Sequence, residues 1–221
     1  MATETAVTTA TTERTGSERA RRRPNRTGAA TREALVTAAR ANLVQEGFSR
    51  TSARSVAARA GCSQASLFYH FDGVPDLLLA VLDEVSDRRM AAYREPLLSA
   101  RTPNQLARLG RTIAAEDLRS GDLRVLVELV AGAPTGPGLK AGVAERIDRW
   151  EELVAQVAER FIPRPLRTAL RPPVVAHAVV AGFLGLELLR DLREDGTGTQ
   201  DVLTDLEQVS RTAIAITGGA R

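Results

Sequence analysis

The stretch from Thr51 to Phe71, TSARSVAARAGCSQASLFYHF, gathers the side chains best suited to reading nucleic acid. Gln64 carries an amide that can pair with adenine through two bonds, Ser63 and Ser66 carry hydroxyls, Ala65 a methyl, and Tyr69 and His70 rings with polar tips. Spacing decides what they can do together. Two short helices joined at Gly61 make a helix-turn-helix, whose second helix lies in the major groove while the first crosses the DNA backbone. Val56, Ala60, Cys62, Leu67 and Phe71 supply the apolar side that packs the pair onto a preceding helix. The opposite side of the second helix then presents Gln64, Ala65, Ser66, Tyr69 and His70 to bases, and Arg54 on the crossing helix has phosphate as its natural partner.

Other chemistry is thinly represented. His70 and His177, the two histidines of the chain, fall in different regions, so neither a histidine-based metal site nor an acid–base cluster is expected. Gly136 to Lys140 lacks phosphate-loop spacing. Cys62, the single cysteine, has no partner for an internal disulfide and reads as a small turn residue rather than a redox sensor. The expectation is therefore no enzyme, no catalytic residues, no metal and no cofactor. For three residues two readings stand side by side: His70 contacts DNA or completes the small domain's core, Trp150 is core or a pocket wall, and His177 orients a ligand or is a partnered structural histidine.

The elements that position these groups are helices throughout, an all-α chain. Leu35, Val36, Ala39, Leu43 and Val44 recur at three and four from Thr31 and stop at Gly47. Thr51 or Ser52 caps the second helix, which Gly61 ends, and Ser63 caps the third, Gln64 to Phe71. A fourth runs from about Pro75 to Arg94. Thr102-Pro103-Asn104-Gln105 is a capping box opening a fifth helix to about Arg119. A sixth, Leu123 to Ala131, precedes the turn-rich 133–138, and a seventh spans about Leu139 to Phe161. The segment Val174 to Arg193 is apolar in nearly every direction, which implies burial on all sides, and a last helix follows from Gln200 to Thr217.

At 221 residues the chain suits two domains. Residues 1–28 read as a disordered basic arm, 29–89 as the DNA-binding domain and 90–221 as a helical ligand-binding and dimerisation domain. The net charge is only +3, but between Arg19 and Arg59 ten arginines face two acids, Glu33 and Glu46, a local net of +8. A basic head on an acidic body suits phosphate neutralisation. No apolar run reaches the roughly 18 residues of a membrane span, and the N-terminal region lacks the apolar core of a signal peptide, so a soluble, cytoplasmic protein without membrane contact is expected.

Thr51, Val56-Ala57-Ala58-Arg59-Ala60-Gly61-Cys62-Ser63, Leu67-Phe68-Tyr69-His70-Phe71 and Leu77-Leu78 together resemble the TetR family of transcriptional regulators, from about Thr31 to Leu82. The resemblance implies a helix-turn-helix head on a helical bundle, acting as a repressor released from operator DNA by a small molecule. DNA contacts would come from Arg26, Thr51, Arg54, Ser63, Gln64, Ala65, Ser66, Phe68, Tyr69 and His70. A pocket among the fourth to eighth helices would draw on Leu109, Ile113, Leu126, Val130, Trp150, His177 and Phe183. A homodimer seam would draw on Ala178, Gly182, Gly185, Leu189, Leu206 and Val209. The partners so implied are double-stranded operator DNA, an unidentified effector and a second copy of the chain. Two departures stand out: Phe68 and Val74 replace the family's usual tyrosine and lysine, removing two phosphate contacts that Arg54 or the arm would have to make up. Two other readings fit the same residues, a DNA-binding protein without an effector and a helical ligand carrier or enzyme retaining the head.

Overall fold

The computed structural model describes residues 28–191, and these form eight α-helices. They are α1 (Gly28–Glu46), α2 (Ala53–Ala60), α3 (Gln64–His70), α4 (Val74–Ser99), α5 (Pro103–Ser120), α6 (Asp122–Gly132), α7 (Pro137–Phe161) and α8 (Pro172–Asp191). The expected arm, apart from Gly28, and the expected last helix lie outside the described residues, as do Arg26, Leu206 and Val209.

Local chemistry sets the boundaries. Ser52 caps α2 in a reciprocal box with Ser55: the Ser55 N–H donates to Ser52 Oγ at 3.2 Å, and the Ser52 N–H to Ser55 Oγ at 2.9 Å. Gly61 ends α2 at φ +69, the left-handed region that glycine enters without penalty. The Thr102–Gln105 box forms as the sequence indicates. By contrast, α4 continues five residues past Arg94 and accommodates Pro96 in its last two turns. It therefore runs unbroken across the expected domain boundary at 89/90.

One apolar cluster runs from the head into the body. Leu35, Leu43, Val56, Leu67, Leu77 and Val81 fill the head, and the cluster continues through Leu82 and Val85 of α4 into Leu123, Val125, Leu129 and Val143 of the body. α6 lies against α1, while α7 packs on both α4 and α8. A tight fit marks the head–body contact: a Cβ on Gly132 of α6 would stand 2.4 Å from the Phe48 ring.

Among the described residues α8 is covered on one side only. Ala176 and Glu187 are buried, but Val174, Val179, Leu188 and Leu189 are exposed. The reading that no apolar stretch reaches spanning length needs correction. Pro172–Leu189 is long and apolar enough to cross a membrane by length and composition, with a mean hydropathy of 1.6. The single acidic residue within it, Glu187, breaks the apolar run in the sequence but not on the surface. Its side chain is buried, so the exposed residues of this stretch are apolar apart from His177.

Candidate DNA-binding head and effector site

α3 follows the Gly61 turn and is held by its buried side. Leu67 is fully buried and Phe71, at its C-terminal boundary, nearly so. Ser63 caps it, accepting from the Ser66 N–H at 3.1 Å, and the two hydroxyls meet at 2.9 Å. Along the rest of α3, Gln64 and Ala65 are exposed, Phe68 is 57% exposed and Tyr69 84%. His70, half-buried, sets its ring edge-on to Tyr69 with centroids 5.0 Å apart. Arg54 is exposed on α2. Of Gln64, Ala65, Phe68, Tyr69, His70 and Arg54, all but His70 are exposed, as the helix-turn-helix reading requires.

Thr51 is a correction. It is buried, and its hydroxyl donates to the Gly47 carbonyl at 2.8 Å, so it braces the end of α1 rather than reaching DNA. Ser66 keeps its expected place on α3, but its hydroxyl is already engaged by Ser63. α2 is in turn fixed to α1 by Arg59, which donates to Gln45 Oε1 and Glu46 Oε1, each at 2.8 Å.

The residues expected to line a pocket lie in different surroundings. Leu109 lines an open groove of about 330 Å³ between the end of α4 and α5, with Pro96, Ala100, Gln105 and Thr112. Leu126 belongs to the core shared with the head, with Val130 packed against it, and Ile113 is buried on α5. Phe183 is half-buried. Of the two readings for His177 the partnered one fits: its side chain is 74% exposed and its Nδ1 pairs with Glu151 Oε1 of α7 at 2.8 Å. It is a surface link between α7 and α8.

What does occupy the body's interior is an ion pair that periodicity alone did not single out. Arg89 of α4 donates to Asp117 of α5 at 2.5 Å, with side-chain exposures of 10% and 1%. The guanidinium lies over the Trp150 ring of α7, 4.8 Å from its centroid, so one arginine ties three helices. Asp117 Oδ1 and Arg89 Nε are buried with no hydrogen-bond partner among the described residues. Burial pushes the Asp117 carboxyl up to about 6 against the opposing pull of Arg89. Burial likewise raises the nearby Tyr93 phenol, reinforced by the Asp117 charge. The available signal was a charge at a core position: Arg89 follows Val81 and Val85 at four-residue spacing, and Asp117 follows Ile113.

A second set of charges joins head to body. Asp122, at the start of α6, accepts from Arg40 of α1 and Arg88 of α4, each at 2.7 Å, and Arg40 also reaches the Ser120 carbonyl at 2.6 Å. Farther along α6, Glu128 Oε2 accepts the Phe48 N–H at 2.7 Å, just beyond α1. Burial pushes the Asp122 carboxyl up, but the bonds from Arg88 and Arg40 outweigh it and hold it below the ordinary 3.8. Its stabilising share is therefore complete above that value and is lost as pH falls through the lowered one. Asp122→Asn is expected to cost about 1.5 to 3 kcal/mol at neutral pH, the worth of charged hydrogen bonds. Urea titrations should show this deficit shrinking below about pH 4; a deficit that stays constant in acid would mean that the carboxylate charge is not what binds the two arginines.

Comparison with known proteins gives a consistent result. Residues 35–81 match the family described as bacterial regulatory proteins, tetR family. An uncharacterised HTH-type transcriptional regulator of Mycobacterium tuberculosis is 27% identical over 129 residues, 58% of this chain and 66% of that protein, just under two thirds of its length. The solved regulatory protein TetR from Rhodobacter sphaeroides shares the fold with a TM-score of 0.63 at 17% identity, covering 80% of this chain and 97% of that one. The multidrug binding protein EbrR, solved with imidazole, is 28% identical with a TM-score of 0.53, over 79% of this chain and 93% of its own.

Proposed function

We propose that this chain, whose residues 35–81 match the tetR family of bacterial regulatory proteins, is a dimeric transcriptional repressor that a small molecule releases from operator DNA. The observation that carries the reading is α3, anchored by Leu67 and Phe71 and presenting Gln64, Ala65, Phe68 and Tyr69 outward. A helix so placed can enter the major groove while α2 crosses the backbone. The effector part of the proposal is supported by EbrR, a multidrug binding protein of similar fold solved with imidazole.

Release requires the effector to bind the DNA-competent and incompetent states with different affinity. α4 is the element through which that difference would act, since it holds Arg89 toward the body and Arg88 toward the Asp122 tether. The head, in turn, hangs on α6 through Asp122 and Glu128. A shift of α4 against α5 and α7 would thus be felt at α1 and at the recognition helix.

The test begins with selection of a binding site from random duplexes, followed by titration of variants. Gln64→Ala is expected to cost about 1 to 3 kcal/mol on the selected site and much less on random DNA. Arg54→Ala is expected to weaken both alike, because phosphate contacts carry no sequence information. Equal losses for the two variants on both DNAs would remove α3 from base reading. A metabolite screen by thermal shift, repeated on the protein–DNA complex, tests the effector: a compound that raises stability of the free protein should dissociate the complex.

A further inference from the structure

We propose that Ala65 and Phe68 form an apolar reading face that recognises the 5-methyl groups of thymine in the operator. The inference rests on the DNA-binding reading above and deepens it by naming the base that this face selects. Leu67 fixes the rotation of α3 by pointing into the core, and Ala65 and Phe68, three residues apart, then share the outward side with Tyr69. Phe68 is 57% exposed. A phenyl ring has no hydrogen-bonding atom to offer phosphate, and apolar surface left in water is unfavourable unless a partner covers it. On the major-groove edge of the four bases, the apolar group available to cover it is the thymine methyl.

The neighbouring side chains leave this work to the pair. Ser66 is tied to Ser63, and His70 braces the Tyr69 ring. Gln64 lies one helical turn before Phe68, so an adenine bonded by Gln64 would place the methyl of an adjacent or opposing thymine next to the phenyl ring. The site is therefore expected to contain an A/T step in each half.

Deoxyuridine differs from thymidine in this methyl alone, which makes the test direct. With the selected operator, thymines are replaced singly by deoxyuridine and affinity is measured by fluorescence anisotropy for the wild type and for Phe68→Ala. At one or two positions per half-site the wild type should lose about fourfold, the loss expected when one buried methyl contact is removed. Phe68→Ala, a change at an exposed position, should melt like the wild type, bind the thymine operator more weakly and show no further loss on deoxyuridine at those positions. A deoxyuridine penalty of equal size in both proteins, no penalty at any thymine, or a selected half-site lacking thymine would each overturn the inference while leaving DNA recognition intact. Failure to enrich any sequence would instead overturn the DNA-binding reading itself.

Discussion

Asp117→Ala is expected to remove about 3 to 5 kcal/mol of folding stability, because it would strand the Arg89 guanidinium in the interior of the body. Alanine leaves no acceptor for the bond now made at 2.5 Å, and the Trp150 face cannot replace a carboxylate. The paired replacement Arg89→Met with Asp117→Leu removes both charges at similar volume, and its cost should be far smaller. Urea denaturation of the two variants separates a stranded charge from lost packing. If the double variant falls as far as Asp117→Ala, the cluster matters for its shape and not for its charge.

The same pair makes a prediction about pH whose sign is opposite to that of Asp122. Folding raises the Asp117 carboxyl from 3.8 to about 6, so the native state holds this proton more tightly than the unfolded chain does. Its contribution is fully present below 3.8 and is lost as pH rises through about 6. The melting temperature of the wild type relative to Asp117→Asn should therefore decline between about pH 4 and pH 7. A difference that rises over that window would mean that Arg89 outweighs burial.

The head was largely legible in the sequence because its information is local. Ser52, Ser63 and the Thr102–Gln105 box cap the helices they precede, and Gly47 and Gly61 stop them, all within a few residues of the bonds they make. Where local signals compete, the reading slipped. Pro96 argues for a helix end, since proline removes a bond and disfavours helical geometry before it, yet α4 loses little by passing through it so near its terminus. Thr51 sits between elements, where no periodicity separates an inward hydroxyl from an outward one. The body's polar centre was hidden for a different reason. Arg89 and Asp117 stand 28 residues apart on separate helices, so only tertiary packing brings them together. His177 shows the converse: an apolar neighbourhood in sequence does not place a residue inside when the helix keeps one side outward.

That outward side of α8 leads to the prediction about assembly. Val174, Ala178, Ala181, Gly182, Gly185, Leu188 and Leu189 recur at three and four, and all are exposed but Gly185, which is half-exposed. Among the described residues a Cβ built on Gly182 or Gly185 meets nothing within 4 Å, so there the position is open. A second copy packing here would bring the same stripe against itself, with small residues at the centre allowing close approach of the two backbones. Gly182→Arg should then leave the fold of each chain intact, since arginine favours helix more than glycine does. It should nevertheless block the seam. Light scattering is expected to report about twice 23.7 kDa for the wild type and about 23.7 kDa for the variant. Because two linked heads bind two half-sites far more tightly than one head binds one, operator affinity should fall roughly 10²- to 10⁴-fold. Gly182→Ala, which adds a single methyl, should have a much smaller effect on both readouts. If the Gly182→Arg protein stays dimeric, the seam lies elsewhere, and a wild type that is monomeric but partitions into lipid vesicles would assign the apolar face of α8 to a membrane instead.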